Sequence, residues 1–91
     1  MDVSVKDSMA ATKEDISNWF DKGIQNNATH MIVVCDTYDY DDYPVYVEDG
    51  ENPHEVAKKY DSCNMQRVME VYSLKKPKQP QLDMLRVWNW D

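Results

Sequence analysis

The chain has 91 residues, 42 % hydrophobic and 30 % charged, enough apolar material for one modest core and too much for a disordered polymer. Seventeen acids against ten bases leave a net charge of −7 at pH 7, which disfavours phosphate backbones and anionic lipid as partners and favours basic ones. The longest apolar run is far below the ~18 residues needed to cross a bilayer, and the start, Met-Asp-Val-Ser-Val-Lys-Asp, lacks the basic and apolar regions of a signal peptide.

Residues 1–11 are polar and without periodicity, and are expected to be a flexible segment ahead of a single domain over 12–91. Thr12 can cap a helix, with Asp15 three positions on in a capping-box relation. Ile16, Trp19 and Phe20 then form one apolar stripe. Gly23 is the expected stop, because glycine readily takes the left-handed conformation found at many helix ends. Residues 29–36 are apolar at alternate positions on both faces, which predicts a central strand covered on both sides. An acidic loop over about 37–43 follows, and residues 44–47 read as a short edge strand whose opening proline is tolerated there. Asn52 and Pro53 then mark a second helix, running to about Asp61 and burying Val56, Ala57 and Tyr60. Residues 65–74 alternate as a third strand, with Val68, Tyr72 and Leu74 on one side and Met69 and Val71 on the other.

A crossover through the second helix brings the third strand back antiparallel to the first, which places the first strand in the middle. The expected fold is therefore α+β, ordered α-β-β-α-β. Its antiparallel sheet has three strands, or four if the C-terminal residues join it, packed by two helices. Residues 75–80 (Lys-Lys-Pro-Lys-Gln-Pro) read as a basic connector that forms neither helix nor strand. Residues 82–90 are too apolar for solvent, and are expected to pack back as a helical turn or a fourth strand, or to meet a partner.

Seven carboxylates lie between Asp36 and Glu51, with no Lys or Arg among them. Asp36, Asp39, Asp41 and Asp42, interleaved with Tyr38, Tyr40 and Tyr43, can imitate the spaced charge of a nucleic acid, the tyrosines adding contact area. The same residues can equally be a solvated hairpin whose aspartates make turn hydrogen bonds. Calcium chemistry is present in part, but the EF-hand spacing, its glycine and its closing glutamate are absent, so no metal site is assigned. His30 and His54 lie in different elements without a nucleophile motif, which leaves no catalytic residue to name. Cys35 and Cys63 lack CxxC spacing and read as reduced thiols of a cytoplasmic protein, Cys35 as a small core hydrophobe. Trp88 and Trp90 share one strand face and form either an aromatic platform or part of the core. Lys58, Lys59, Lys75, Lys76, Lys78 and Arg86 make a basic counter-patch, read as a solvated face.

The stretches Ala-Thr-His-Met-Ile-Val-Val-Cys-Asp-Thr-Tyr-Asp-Tyr-Asp-Asp-Tyr-Pro-Val-Tyr-Val (28–47) and Asn-Met-Gln-Arg-Val-Met-Glu-Val-Tyr (64–72) resemble a family of small uncharacterised bacteriophage proteins. The resemblance covers roughly residues 12–90. It implies a phage origin and work in the host cytoplasm, and it carries no catalytic residues. With the acidic loop, it leads to a non-enzymatic module, without cofactor, that binds and inhibits a basic nucleic-acid-handling or defence protein of the host, in the manner of an anti-CRISPR or anti-restriction mimic. One alternative is capture of a small signalling nucleotide by Lys58, Lys59, Arg67, Arg86 and the C-terminal tryptophans. Another is a virion or housekeeping component without a ligand.

Overall fold

The computed structural model describes residues 11–38, 40–61 and 65–91; Asp39, Cys63 and the first ten residues lie outside these ranges. Helix α1 (Lys13–Gln25) opens on the expected capping box, with the Thr12 hydroxyl accepting from the Asp15 N–H and the Asp15 carboxylate from the Thr12 N–H, each at 3.1 Å. It does not stop at Gly23. The helix runs two residues further, and the left-handed turn falls on Asn27 (φ 62°). Gly23 instead marks a close approach, since a Cβ there would lie 2.6 Å from Leu74 Cδ1 and 2.8 Å from Tyr46 Cε1.

Strands β1 (Ala28–Asp36), β2 (Asp41–Glu48) and β3 (Gln66–Ser73) form one antiparallel sheet in the order β2-β1-β3, confirming the α+β expectation with the first strand central. The two-sided apolar pattern of β1 has its cause in two cores. Met31 and Val33 pack with Ile16 and Phe20 of α1 and with Tyr72, Leu74, Leu82 and Val87. Ile32 and Val34 pack on the opposite side with Val47, Val71, Val56 and Ala57.

Alternation along β3 slips once. Val33 pairs with Glu70 and Val34 with Val68, leaving Met69 as the extra residue of a bulge. Val68 therefore joins Val71 on the side of the second helix, while Met69 joins Tyr72 and Leu74. This corrects the strict two-residue period expected from sequence. Helix α2 (Pro53–Lys58) starts as expected, with Asn52 Oδ1 accepting from the His54 and Glu55 N–H groups. It ends short of Asp61 because Lys59 and Tyr60 bond the carbonyls three residues back, at Val56 and Ala57.

The expectation that residues 75–80 form no regular element is also corrected. Helix α3 (Lys78–Leu82) begins after Pro77, and Pro80 is tolerated in its first turn, where an N–H has no intrahelical partner. Past α3 the chain returns along the outer edge of β3. Val71 N–H bonds Val87 O and Asn89 N–H bonds Val71 O, both at 2.9 Å, making a parallel bridge between Val71 and Trp88 without a full fourth strand. At Ser73 a side chain takes over this pairing. Gln81 Oε1 accepts from Ser73 N–H and Gln81 Nε2 donates to Ser73 O, each at 2.9 Å, so one buried amide substitutes for a neighbouring peptide group. Gln81 also accepts from Asn89 Nδ2 at 2.8 Å and donates to Pro77 O at 2.9 Å. At the start of α1, Lys13 donates to the carbonyls of Leu82 and Met84, where the α3 dipole favours a cation.

Candidate functional site

The acidic segment is a hairpin rather than a seven-residue loop. Asp36 pairs with Asp41, Cys35 with Asp42 and Val34 with Tyr43, so Asp41, Asp42 and Tyr43 are strand residues and Thr37, Tyr38 and Tyr40 belong to the turn. Pro44 consequently sits inside β2, opposite Val33, and is tolerated because β2 is an edge strand. Asp36 Oδ1 accepts from the Tyr38 N–H at 2.9 Å, an Asx turn that starts the reversal. Tyr40 completes it in the left-handed region, at φ 60°.

Two kinds of residue emerge from the predicted set. Asp42 and Tyr43 are partly buried and engaged: Asp42 Oδ2 accepts from the Ala11 N–H at 3.1 Å, and the Tyr43 hydroxyl accepts from Gln66 Nε2. Burial, the nearby Tyr60 and Asp36 together raise the Tyr43 pKa. Tyr38 and Tyr40, by contrast, are 77 % and 67 % exposed. Asp39 lies outside the described residues. Sequence reasoning missed Met65, which is 57 % exposed with φ 62° and is held beside the turn by a 2.7 Å bond from Thr37 N–H to Met65 O. Two tyrosines and a methionine are thus presented at the same end of the sheet as Asp36, Asp41 and Asp42, with Asp36 and Asp41 directly opposite each other across the strands.

Cys35, one residue inside the tip, is a buried thiol. Burial first and the Asp42 carboxylate second push its pKa up to about 11, which matches the inert reading made from sequence. His30 is buried at the other end of β1, its Nδ1 2.9 Å from the Thr29 hydroxyl, and among the described residues its Nε2 has no hydrogen-bond partner. Burial, reinforced by Lys75, lowers its pKa, and the backbone of Asp91 and Trp90 offsets part of that shift. Among the described residues no group of three or more His, Cys, Asp or Glu side chains is arranged to hold a metal ion, and no helix is long and apolar enough to cross a membrane.

A second concavity lies between α2 and the C-terminal residues. His54, Ala57, Lys58, Asp61, Val68, Trp88 and Trp90 line a cleft of about 350 Å³. His54 stacks on Trp90, with ring centroids 4.0 Å apart and planes within 16°. Trp88 follows at 6.4 Å and 15° from Trp90. The tryptophans divide between the two roles considered from sequence: Trp90 is half-buried against the second core, while Trp88 remains 45 % exposed. Of the cations expected around a nucleotide, Lys58 lines this cleft, whereas Lys59, Arg67 and Arg86 are not among its lining residues. The basic counter-patch is dispersed in the same way, since Lys78 pairs with Asp21 of α1 at 2.9 Å.

Compared with known protein families, curated proteins and solved structures, the chain matches none of them.

Proposed function

We propose that the chain is a non-catalytic binding module that recognises a basic protein through its hairpin tip. The carrying observation is the exposure of Tyr38 and Tyr40 in the hairpin turn and of Met65 beside it, next to Asp36, Asp41 and Asp42. Apolar and aromatic area held out in this way gains nothing for the isolated domain and supplies the contact surface of an interface. The surrounding carboxylates and the net charge of −7 support a cationic partner, steering the encounter while the tyrosines and Met65 slow dissociation. The resemblance to small phage proteins supports a finer assignment: an inhibitor of a nucleic-acid-handling or defence protein, acting in the host cytoplasm by presenting charge where that protein expects nucleic acid.

The test is capture from a bacterial lysate by the tagged chain, repeated with Tyr38→Ala/Tyr40→Ala and with Asp39, Asp41 and Asp42 changed to Asn. One dominant basic partner is expected, lost with either variant and weakened as salt rises from about 0.05 to 0.5 M. A partner retained by both variants, or held equally at both salt concentrations, rules the tip out.

A further inference from the structure

The cleft between α2 and the C-terminal residues owes nothing to the hairpin tip, and it has the composition of a ligand site. Its floor is apolar, from Ala57 and Val68, and one wall is the aromatic row His54, Trp90 and Trp88. If the row served only to close the core, Trp90 would suffice, because it is the member that packs against Val56, Ala57 and the other buried residues of that face. Trp88 adds little to the core and offers a ring nearly parallel to Trp90 at the cleft. The polar groups that line it differ in sign. Lys58 brings an ammonium, and Asp61, whose Oδ1 accepts the Val68 N–H at 3.2 Å, brings a carboxylate.

We infer that this cleft binds a planar nitrogen heterocycle carrying an anionic group, the ring stacking on the exposed Trp88 beside Trp90, the anion meeting Lys58 and a ring or exocyclic N–H meeting Asp61. The volume sits at the lower end of the range for small-ligand sites, which suits a mononucleotide. A polynucleotide is disfavoured by the net charge of −7. Stacking on indole tolerates different bases, so shape and charge select the ligand class while Asp61 selects among its members.

AMP is the probe, with adenosine and ribose phosphate as its two halves, and the readout is the indole N–H signals of the intact chain by NMR. AMP is expected to move the Trp88 and Trp90 signals saturably and to leave Trp19, which packs in the other core, in place. Adenosine should move the same two signals with weaker affinity, and ribose phosphate alone should not move them. Lys58→Ala is expected to weaken AMP about threefold to fivefold while leaving adenosine unchanged, the size of an exposed charge pair. Trp88→Ala should weaken both by at least about fivefold. Absence of a saturable shift with AMP at millimolar concentration overturns the inference. So does equal binding by Trp88→Ala, whose exposed position makes the substitution compatible with folding. Neither result bears on the hairpin tip, which contributes no residue to the cleft.

Discussion

Gln81→Leu is expected to do far more damage than its position in a five-residue surface helix suggests. Gln81 is 3 % exposed, and the change removes four hydrogen bonds of 2.8–2.9 Å, to Ser73 N–H, Ser73 O, Asn89 Nδ2 and Pro77 O. The Pro77 carbonyl lies in an exposed residue and can turn to water, but Ser73 is fully buried, so its N–H is orphaned and its C=O keeps only the long 3.4 Å bond from Lys76 N–H. At ~1–3 kcal/mol for the unsatisfied N–H and ~1 kcal/mol for the weakened carbonyl, less ~1 kcal/mol returned by the leucine, the loss should be about 2 kcal/mol. That is a substantial part of the ~5–14 kcal/mol expected for a chain of this size, and corresponds to roughly 8–16 °C in Tm. Urea unfolding followed by circular dichroism measures it. Indole fluorescence at low urea should shift to the red ahead of the global transition, because without the Asn89 contact to Gln81 the tryptophan-bearing residues are held less firmly to the sheet, by the Val71 backbone bonds. Gln81→Glu sharpens the test by keeping the shape while aiming a carboxylate at the carbonyls of Ser73, Lys76 and Pro77. The carboxyl introduced there should have a raised pKa in the folded state, so its deficit against wild type should shrink as pH falls and protonation restores a donor. A loss below about 1 kcal/mol in Gln81→Leu, or a pH-independent deficit in Gln81→Glu, would refute the peptide-substitute role.

Two further outcomes come from the packing. Gly23→Ala sets a helix-propensity gain of up to ~1 kcal/mol against an overlap with Leu74, which is buried, and with Tyr46, whose ring is pinned by its hydroxyl donating to Trp19 O at 2.8 Å. Overpacking should win by about 1 kcal/mol, lowering Tm by ~4–8 °C, and a rise in Tm in a thermal melt contradicts the close contact. For His30 the neutral ring is the form the fold accommodates, and its folded pKa lies below the ordinary value of 6.5. Its contribution to stability is therefore complete above that value and lost as pH falls from it toward the folded pKa. NMR titration of the imidazole should give a midpoint below 6.5, and His30→Gln should flatten the decline in Tm across that window. A midpoint at or above 6.5 removes the basis for this dependence.

Local signals in the sequence carried much of the architecture. Thr12 with Asp15, Asn52 with Pro53, and a nine-residue strand apolar on both faces each express an interaction whose partners are close in the chain or whose pattern repeats, and each was legible. Gly23 misled because glycine has two uses, a left-handed turn and a close approach, and only the neighbours Leu74 and Tyr46 decide between them. The Met69 bulge left no local trace, because Val68 and Met69 stand on opposite sides with or without it, and only the shared core of Val68 and Val71 shows that the alternation slips. Gln81 left none, because a buried glutamine among polar neighbours is indistinguishable from an exposed one until Ser73 and Asn89 are brought beside it. For the candidate sites, the aspartates and tyrosines of 36–43 were visible as composition. Met65 joins them through one long-range backbone bond, and His54 meets Trp90 only when α2 and the C-terminal residues share a face.

The two borders of the sheet are finished in different ways. Along β3 every outward-facing peptide group of Val71 and Ser73 is occupied, by Val87, Asn89 and the Gln81 amide. Along β2, where no further strand lies among the described residues, the border carries Asp41, Asp42 and Glu48 and is interrupted by Pro44, which has no N–H to offer. A second copy approaching that rail would set carboxylates against carboxylates and break the ladder at the proline. Growth of the sheet from molecule to molecule is thereby opposed along β2 and along the Val71–Ser73 part of β3, so the tyrosines at the tip are not accompanied by an open strand edge there.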